Sequence, residues 1–77
     1  MREKIIHILQ DFNEDVDYEN EQRLIDGGYI DSMDLTAIIV ELELAFGVAV
    51  DAAKIVPENF NSVGAILEML QSCAAKK

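Results

Sequence analysis

The sequence predicts an all-α domain: a four-helix bundle with one short helix and a long first loop. Three observations carry that prediction. Apolar residues recur at spacings of three and four in three separate stretches, around Ile5, Leu42 and Ile66. Residues that start or stop helices bracket these stretches, notably Asp31, Gly47 and Ser62. Strand-like character is confined to residues 48–50, which have no obvious partner.

Ile5, Ile8, Leu9, Phe12 and Val16 mark a first amphipathic helix over about residues 3–12. His7 falls on or near its polar side and reads as a surface histidine, since no Cys or second His offers a metal partner. Residues 13–31 form a long acidic connection with little periodicity. Its apolar members, Val16, Tyr18, Leu24, Ile25, Tyr29 and Ile30, are expected to tie it to the core. Connections of this length are uncommon in small domains and are often functional. Gly27-Gly28 supplies a turn near its end.

The second helix is expected from Ser32 to about Phe46, with Leu35, Ile38, Ile39, Leu42 and Phe46 as its apolar stripe. Asp31 is a good N-cap, and Asp34 is placed to reach back in an aspartate version of the capping box. Gly47 stops the helix. Residues 48–50 are expected to be an extended linker. Asp51 then caps a short helical turn through Ile55, and Pro57-Glu58-Asn59-Phe60 suits another. Ser62 caps the last helix, with Val63, Ile66, Leu67 and Leu70 inward, ending near Ser72. Ala74-Ala75-Lys76-Lys77 is expected to fray, its lysines complementing the helix dipole.

Seventy-seven residues allow a single domain spanning 1–77. Chains of this size bury only roughly 60–65% of their unfolded surface. Cys73 is the single cysteine, so no intrachain disulfide adds support, and a lone thiol fits a reducing, intracellular setting. Cys73 reads as a small apolar residue near the C-terminus, with no activating partner nearby in sequence. Met1-Arg2-Glu3-Lys4 runs straight into the first amphipathic stretch and lacks a cleavable signal pattern. The longest apolar region, residues 37–50, is interrupted by Glu41 and Glu43 and is too short and charged to span a bilayer. A cytoplasmic monomer without membrane insertion is expected. Fifteen acids oppose six bases, a net charge of −9. That field repels nucleic acid and anionic membranes, and it favours basic protein partners.

Candidate chemistry is sparse. Asp11, Asn13, Asp15, Asp17 and Glu19 alternate as in a calcium loop. An EF-hand needs Gly at its sixth position and Glu at its twelfth; Val16 and Gln22 stand there in one register, and Leu24 takes the twelfth place in the other. No zinc spacing or phosphate-cradling glycine loop is present, so no metal site is expected. Ser32 lies between Asp31 and Met33-Asp34 where the long loop meets the apolar helix. No histidine sits near it in sequence to activate it, which argues against a hydrolase and any catalytic residue. Spacing alone leaves two roles for Ser32: a helix-starting residue, or an anchor modified by another enzyme. A phosphoester there sits near free backbone N–H groups and the positive end of the helix dipole. Asp31 and Asp34 repel it but are placed to help hold a cation during transfer.

Gly28-Tyr29-Ile30-Asp31-Ser32-Met33-Asp34-Leu35, followed by Ile38, Ile39, Leu42, Glu43, Phe46 and Gly47, resembles an acyl carrier protein. The resemblance covers almost the whole chain, including Leu24-Ile25-Asp26-Gly27-Gly28 and Ser62-Val63-Gly64-Ala65-Ile66. The family's attachment motif is Asp-Ser-Leu; Met33 stands in for the Leu, a change that roughly conserves volume. The resemblance implies that Ser32 carries 4′-phosphopantetheine. A holo-carrier synthase (a phosphopantetheinyl transferase) would place it there from coenzyme A, with magnesium bound in the synthase complex. It implies a non-catalytic carrier that holds acyl groups as thioesters and delivers them to an acyl or aminoacyl ligase or transferase and to downstream biosynthetic enzymes. Ile39, Ile55 and Phe60 are candidates to shelter an apolar cargo.

Two departures from fatty-acid carriers shape the expectation. Ala37 and Leu44 stand where those carriers usually place acids, so Met33, Val40 and Leu44 make a more apolar docking strip. The expected partner-docking set is Asp31, Met33, Asp34, Ala37, Val40, Glu41 and Leu44. The segment 50–62 is also longer, and Val50, Ile55, Phe60, Asn61 and Ser62 match the layout of D-alanyl carriers and stand-alone carriers of specialised pathways. An acyl carrier is therefore the first expectation, for fatty-acid or specialised-metabolite biosynthesis. A D-alanyl or other aminoacyl carrier served by an adenylating ligase is its alternative. An unmodified acidic helical interaction module is the alternative from another class.

Overall fold

A computed structural model describes residues 2–75. Among them, three α-helices form the scaffold: α1 (Arg2–Gln10), α2 (Ser32–Phe46) and α3 (Val63–Gln71). α1 packs against both of the others. Ile5 and Leu9 from α1, Ile38, Ile39 and Leu42 from α2, and Val63, Ile66, Met69 and Leu70 from α3 close the core between them. Met69 joins this inward face beyond the residues that the sequence spacing placed there.

α1 ends two residues earlier than its spacing suggests. Phe12 and Asn13 both donate to the Leu9 carbonyl at 3.0 Å, a tightened final turn. The Asn13 side chain instead accepts from the Asp15 N–H at 3.1 Å, a local bond that competes with further helix.

The long first loop is tied down largely as expected. Tyr18, Leu24 and Ile30 are buried, and Val16 and Ile25 are half-buried against the core. The Tyr18 hydroxyl donates to the carbonyls of Leu9 and Asn13, which fastens the loop's start to the end of α1. Tyr29 departs from the expectation: the residue is 44% exposed. The two glycines before α2 serve different needs. A Cβ on Gly27 would lie 2.5 Å from the Arg23 carbonyl oxygen, whereas Gly28 has open space but a φ of 80°.

The helix caps form as the sequence indicates. Asp31, Asp51 and Ser62 accept from backbone N–H groups at the starts of their elements, and Gly47 closes α2 with φ 65° and ψ 37°. At α2 only half of the capping box forms among the described residues. The Asp34 N–H donates to Asp31 Oδ1 at 2.7 Å, without a return bond from the shorter Asp34 carboxylate.

Two expectations need correction. The fourth, short helix is not an α-helix: residues 51–60 make two 3₁₀ turns, Ala52–Lys54 and Pro57–Asn59. The extended conformation of Val56, favoured before Pro57, separates them and leaves each too short for an α-helical ladder. The linker at 48–50 does find a partner. β1 (Val48–Ala49) pairs antiparallel with β2 (Ala74–Ala75), with Val48 opposite Ala75. Ala74 and Ala75 are therefore paired rather than frayed, while Lys76 and Lys77 lie outside the described residues.

A different lysine meets the dipole of α3. Lys54 Nζ donates to the Ser72 carbonyl and hydroxyl oxygens, both at 2.8 Å. Lys4 does the same for α2, reaching the Ala45 carbonyl at 3.4 Å with its ammonium 5.5 Å from the Phe46 ring centre. Glu43 folds over the Gly47 turn and accepts the Val50 N–H at 3.0 Å. Cys73 is half-buried, its thiol donating to the Met69 carbonyl at 3.3 Å.

Candidate phosphopantetheine attachment site

Ser32 is the first residue of α2 and is exposed. Its placement follows from its neighbours. Ile30 is only 4% exposed and anchors the incoming chain in the core. Asp31 then takes an extended conformation and spends one carboxylate oxygen on the Asp34 N–H. The Leu35 N–H donates to the Asp31 carbonyl at 2.9 Å and the Thr36 hydroxyl to the Ser32 carbonyl at 3.1 Å. The serine backbone is thus held from both sides while the residue itself stays exposed. As the first two helical residues, Ser32 and Met33 have no preceding turn to accept their N–H groups. A phosphoester on the Ser32 hydroxyl fits this place: it has open room and lies beside free donors and the positive helix end.

His7 lies far from this serine. It lines a surface hollow with Lys4, Ile8, Gln10, Asp11 and Ala45, at the opposite end of α2. Ala45 is thirteen residues from Ser32, roughly 20 Å along the helix axis. Among the described residues, no cluster of three His, Cys, Asp or Glu is placed to hold a metal ion. No helix among them is long and apolar enough to cross a membrane.

The sequence-chosen docking residues converge on one side of α2. Met33, Ala37, Val40 and Leu44 follow each other at spacings of four, three and four, a single stripe on a helix. All four are exposed, Met33 at 83%, Leu44 at 71% and Val40 at 49%. Glu41 is exposed and Asp34 half-exposed, both on one flank of the stripe. Asp31 stands at its start but is engaged as the cap. Glu43, on the other flank, is occupied by Val50. Of the residues considered for sheltering cargo, Phe60 and Ile39 are buried in the core and Ile55 lies at the surface, 39% exposed.

Sequence reasoning placed Asn61 in a family layout but missed its role of holding the loop before the serine. Asn61 receives the Leu24 N–H on its carbonyl and the Ile25 and Asp26 N–H groups on Oδ1. No hydrophobic period marks such a contact, because the partners lie 35 and 36 positions apart.

Comparison with known proteins bears on this geometry. The family model described as "Phosphopantetheine attachment site" matches residues 3–70. The D-alanyl carrier protein of Streptococcus suis (strain 05ZYH33) is 34% identical over 68 residues, covering 87% of this chain and 86% of that protein. The D-alanyl carrier proteins of Streptococcus sanguinis (strain SK36) and Streptococcus thermophilus (strain LMD-9) are each 32% identical over 69 residues, 88% of this chain and 87% of theirs. No solved structure gives a significant match. A helical scaffold that presents an exposed serine at a capped helix start, matched by that family over most of its length, belongs to the phosphopantetheine-binding carriers, which deliver cargo to partner enzymes on that prosthetic arm.

Proposed function

We propose that Ser32 is the attachment residue, and that this chain is an aminoacyl carrier, for D-alanine or a similar amino acid, loaded by an adenylating ligase. The observation that supports the site is Ser32 itself: exposed, rigidly held, and first in a helix whose opening N–H groups are free. Transfer of the arm from coenzyme A joins its phosphate to the Ser32 oxygen and releases the nucleotide half of coenzyme A. The Ser32 proton passes to a base of the synthase. When bound, the arm supplies a terminal thiol on which cargo is held as a thioester. The chain itself then performs no catalysis.

The relatives named D-alanyl carrier proteins, together with the layout of residues 50–62, favour an aminoacyl cargo over the plain acyl group. A plain acyl carrier shares every step up to loading. The partner surface in this proposal is the α2 stripe of Met33, Ala37, Val40 and Leu44, flanked by Asp34 and Glu41, with Asp31 holding the start of the helix. An apolar strip with one acidic flank suits an apolar patch edged on that side by Lys or Arg on the synthase or ligase. The whole chain acts as one carrier domain, working in the cytoplasm in keeping with its lone thiol.

Intact-mass measurement tests this directly. Incubation with coenzyme A, magnesium and a promiscuous synthase adds one phosphopantetheinyl group to the wild type and none to Ser32→Ala. A wild type that stays unmodified while a control carrier is loaded overturns the carrier reading, and a gain that survives in Ser32→Ala moves the site. The modified chain, given ATP and a set of adenylating ligases with D-alanine or fatty acids, then gains the aminoacyl mass. Loading only with a fatty acid returns the cargo to the plain acyl class.

A further inference from the structure

Asn61 sits between the second 3₁₀ turn and α3, 29 residues from Ser32 in sequence, yet it governs the segment that leads to the serine. Its carbonyl accepts the Leu24 N–H at 2.9 Å. Its side-chain Oδ1 accepts the N–H groups of Ile25 and Asp26, both at 3.0 Å. Its Nδ2 donates to Asp26 Oδ2 at 2.9 Å. One amide side chain thus meets two donors with its oxygen and one acceptor with its nitrogen, the only orientation in which all three bonds form.

The turn it holds is wired onward to the helix start. The Leu24 carbonyl accepts from both Tyr29 and Ile30 N–H, each at 3.0 Å. The Gly27 N–H donates to the Arg23 carbonyl and the Gly28 N–H to the Ile25 carbonyl, closing the loop on itself. Ile30 then enters the core, and the next residue is the capping Asp31. The path from Asn61 to Ser32 runs through bonds of the 24–30 turn and one buried side chain. Asn61 touches neither the serine nor any group that reacts there.

We propose that Asn61 is a positioning residue for modification at Ser32: by fixing the 24–26 turn, it sets the place and direction in which Ile30 and Asp31 present the serine to the synthase. This rests on Ser32 being the attachment site. With Asn61 intact the helix start is delivered in one geometry. With its side chain removed, the turn samples others, and the synthase docks only on the competent fraction. Such a loss raises the apparent KM for the carrier and leaves kcat unchanged, because every docked molecule has the correct geometry.

The test compares steady-state modification of the full chain by a promiscuous synthase with coenzyme A, under conditions where far-UV circular dichroism shows each variant folded. Asn61→Ala removes all three side-chain bonds. Asn61→Asp keeps the oxygen acceptor but turns the Asp26 contact into two facing carboxylates. The exchange Asn61→Asp with Asp26→Asn restores the pair with donor and acceptor reversed. Both single variants should raise KM roughly fivefold with kcat within about twofold of wild type, and the exchange should return KM to within about twofold. Hydrogen exchange at the Ile25 and Asp26 amides should quicken in the single variants and slow again in the exchange. Leu67→Ala, a half-buried α3 change outside the Asn61 bonds, should leave KM unaltered. Wild-type KM in Asn61→Ala, an exchange no better than Asn61→Asp, or an equal KM rise in Leu67→Ala overturns the proposal while the attachment site stands. A wild type that gains no mass overturns the attachment site, and this proposal with it.

Discussion

α1 and α2 each bury an apolar stripe, but only α2 carries a second one on its outer side. The outward residues of α1 are Arg2, Glu3, Lys4, His7 and Gln10, a solvated face of the ordinary kind. Those of α2 include Met33, Ala37, Val40 and Leu44. A helix apolar on both sides is normally enclosed, and here one side stays open. The difference supports the proposed division between two uses of apolar surface in one small molecule. Leu42 and Ile38 hold the fold together; Leu44 and Val40 add nothing visible to it and are free to meet a partner. The same contrast appears in charge. Glu43 is spent on the Val50 N–H, while Glu41, two residues away, remains exposed.

Substitution on the inner face should have the largest effect on the fold. Leu42→Ala leaves a cavity at a fully buried position and should lower stability by about 2–5 kcal/mol, a large share of what a domain this small possesses, read from urea unfolding. A loss below about 1 kcal/mol would mean that the inner stripe is not the one holding α2.

The next effect lies where the long loop joins α1. Tyr18→Phe removes the buried hydroxyl that donates to Leu9 and Asn13 and should cost about 1–2 kcal/mol, chiefly by leaving the Asn13 carbonyl unpaired, since the Leu9 carbonyl keeps the Phe12 and Asn13 N–H groups. Burial raises the Tyr18 pKa above its ordinary value of 10.0. The folded state therefore favours the neutral phenol. Its contribution is complete below pH 10 and is lost as pH rises through the folded pKa, because the unfolded chain ionises first. Tyr18→Phe should flatten that alkaline decline, and an undiminished decline in the variant would assign it to other groups.

The outer face should respond in rates rather than stability. Glu41→Lys should change the unfolding free energy by no more than about 0.5 kcal/mol while slowing modification at low salt. The difference from wild type should shrink as salt is raised, because an exposed charge is screened. Equal rates at low and moderate salt would remove electrostatic steering from the account and leave docking to the apolar stripe.

Much of this was legible in the sequence where the signal is local. The helix starts at Ser32 and Val63 followed from Asp31 and Ser62, whose side chains reach N–H groups only three residues away. The inner and outer stripes of α2 followed from spacing, and the serine stood out because it opens that helix. What failed depended on residues distant in the chain. The pairing of Val48–Ala49 with Ala74–Ala75 joins residues more than twenty positions apart, and alanines carry no strand signal. The short fourth helix is the local exception: Val56, ahead of Pro57, is held extended and divides it into two 3₁₀ turns. Lys54 and Lys4 cap helices to which they do not belong, and the Asn61 clasp spans 36 positions. Neither the strand pairing, the lysine caps nor the Asn61 clasp leaves a period or a motif.

In the proposed function the outer stripe of α2 serves docking and not folding. Its most direct test is the double variant Val40→Asp with Leu44→Asp, assayed for synthase KM beside its urea midpoint. The double variant should keep an unchanged midpoint and show a KM raised at least about tenfold, the effect of roughly 1.4 kcal/mol lost from the docked complex. A wild-type KM, or a midpoint lowered as far as that of Leu42→Ala, would contradict it.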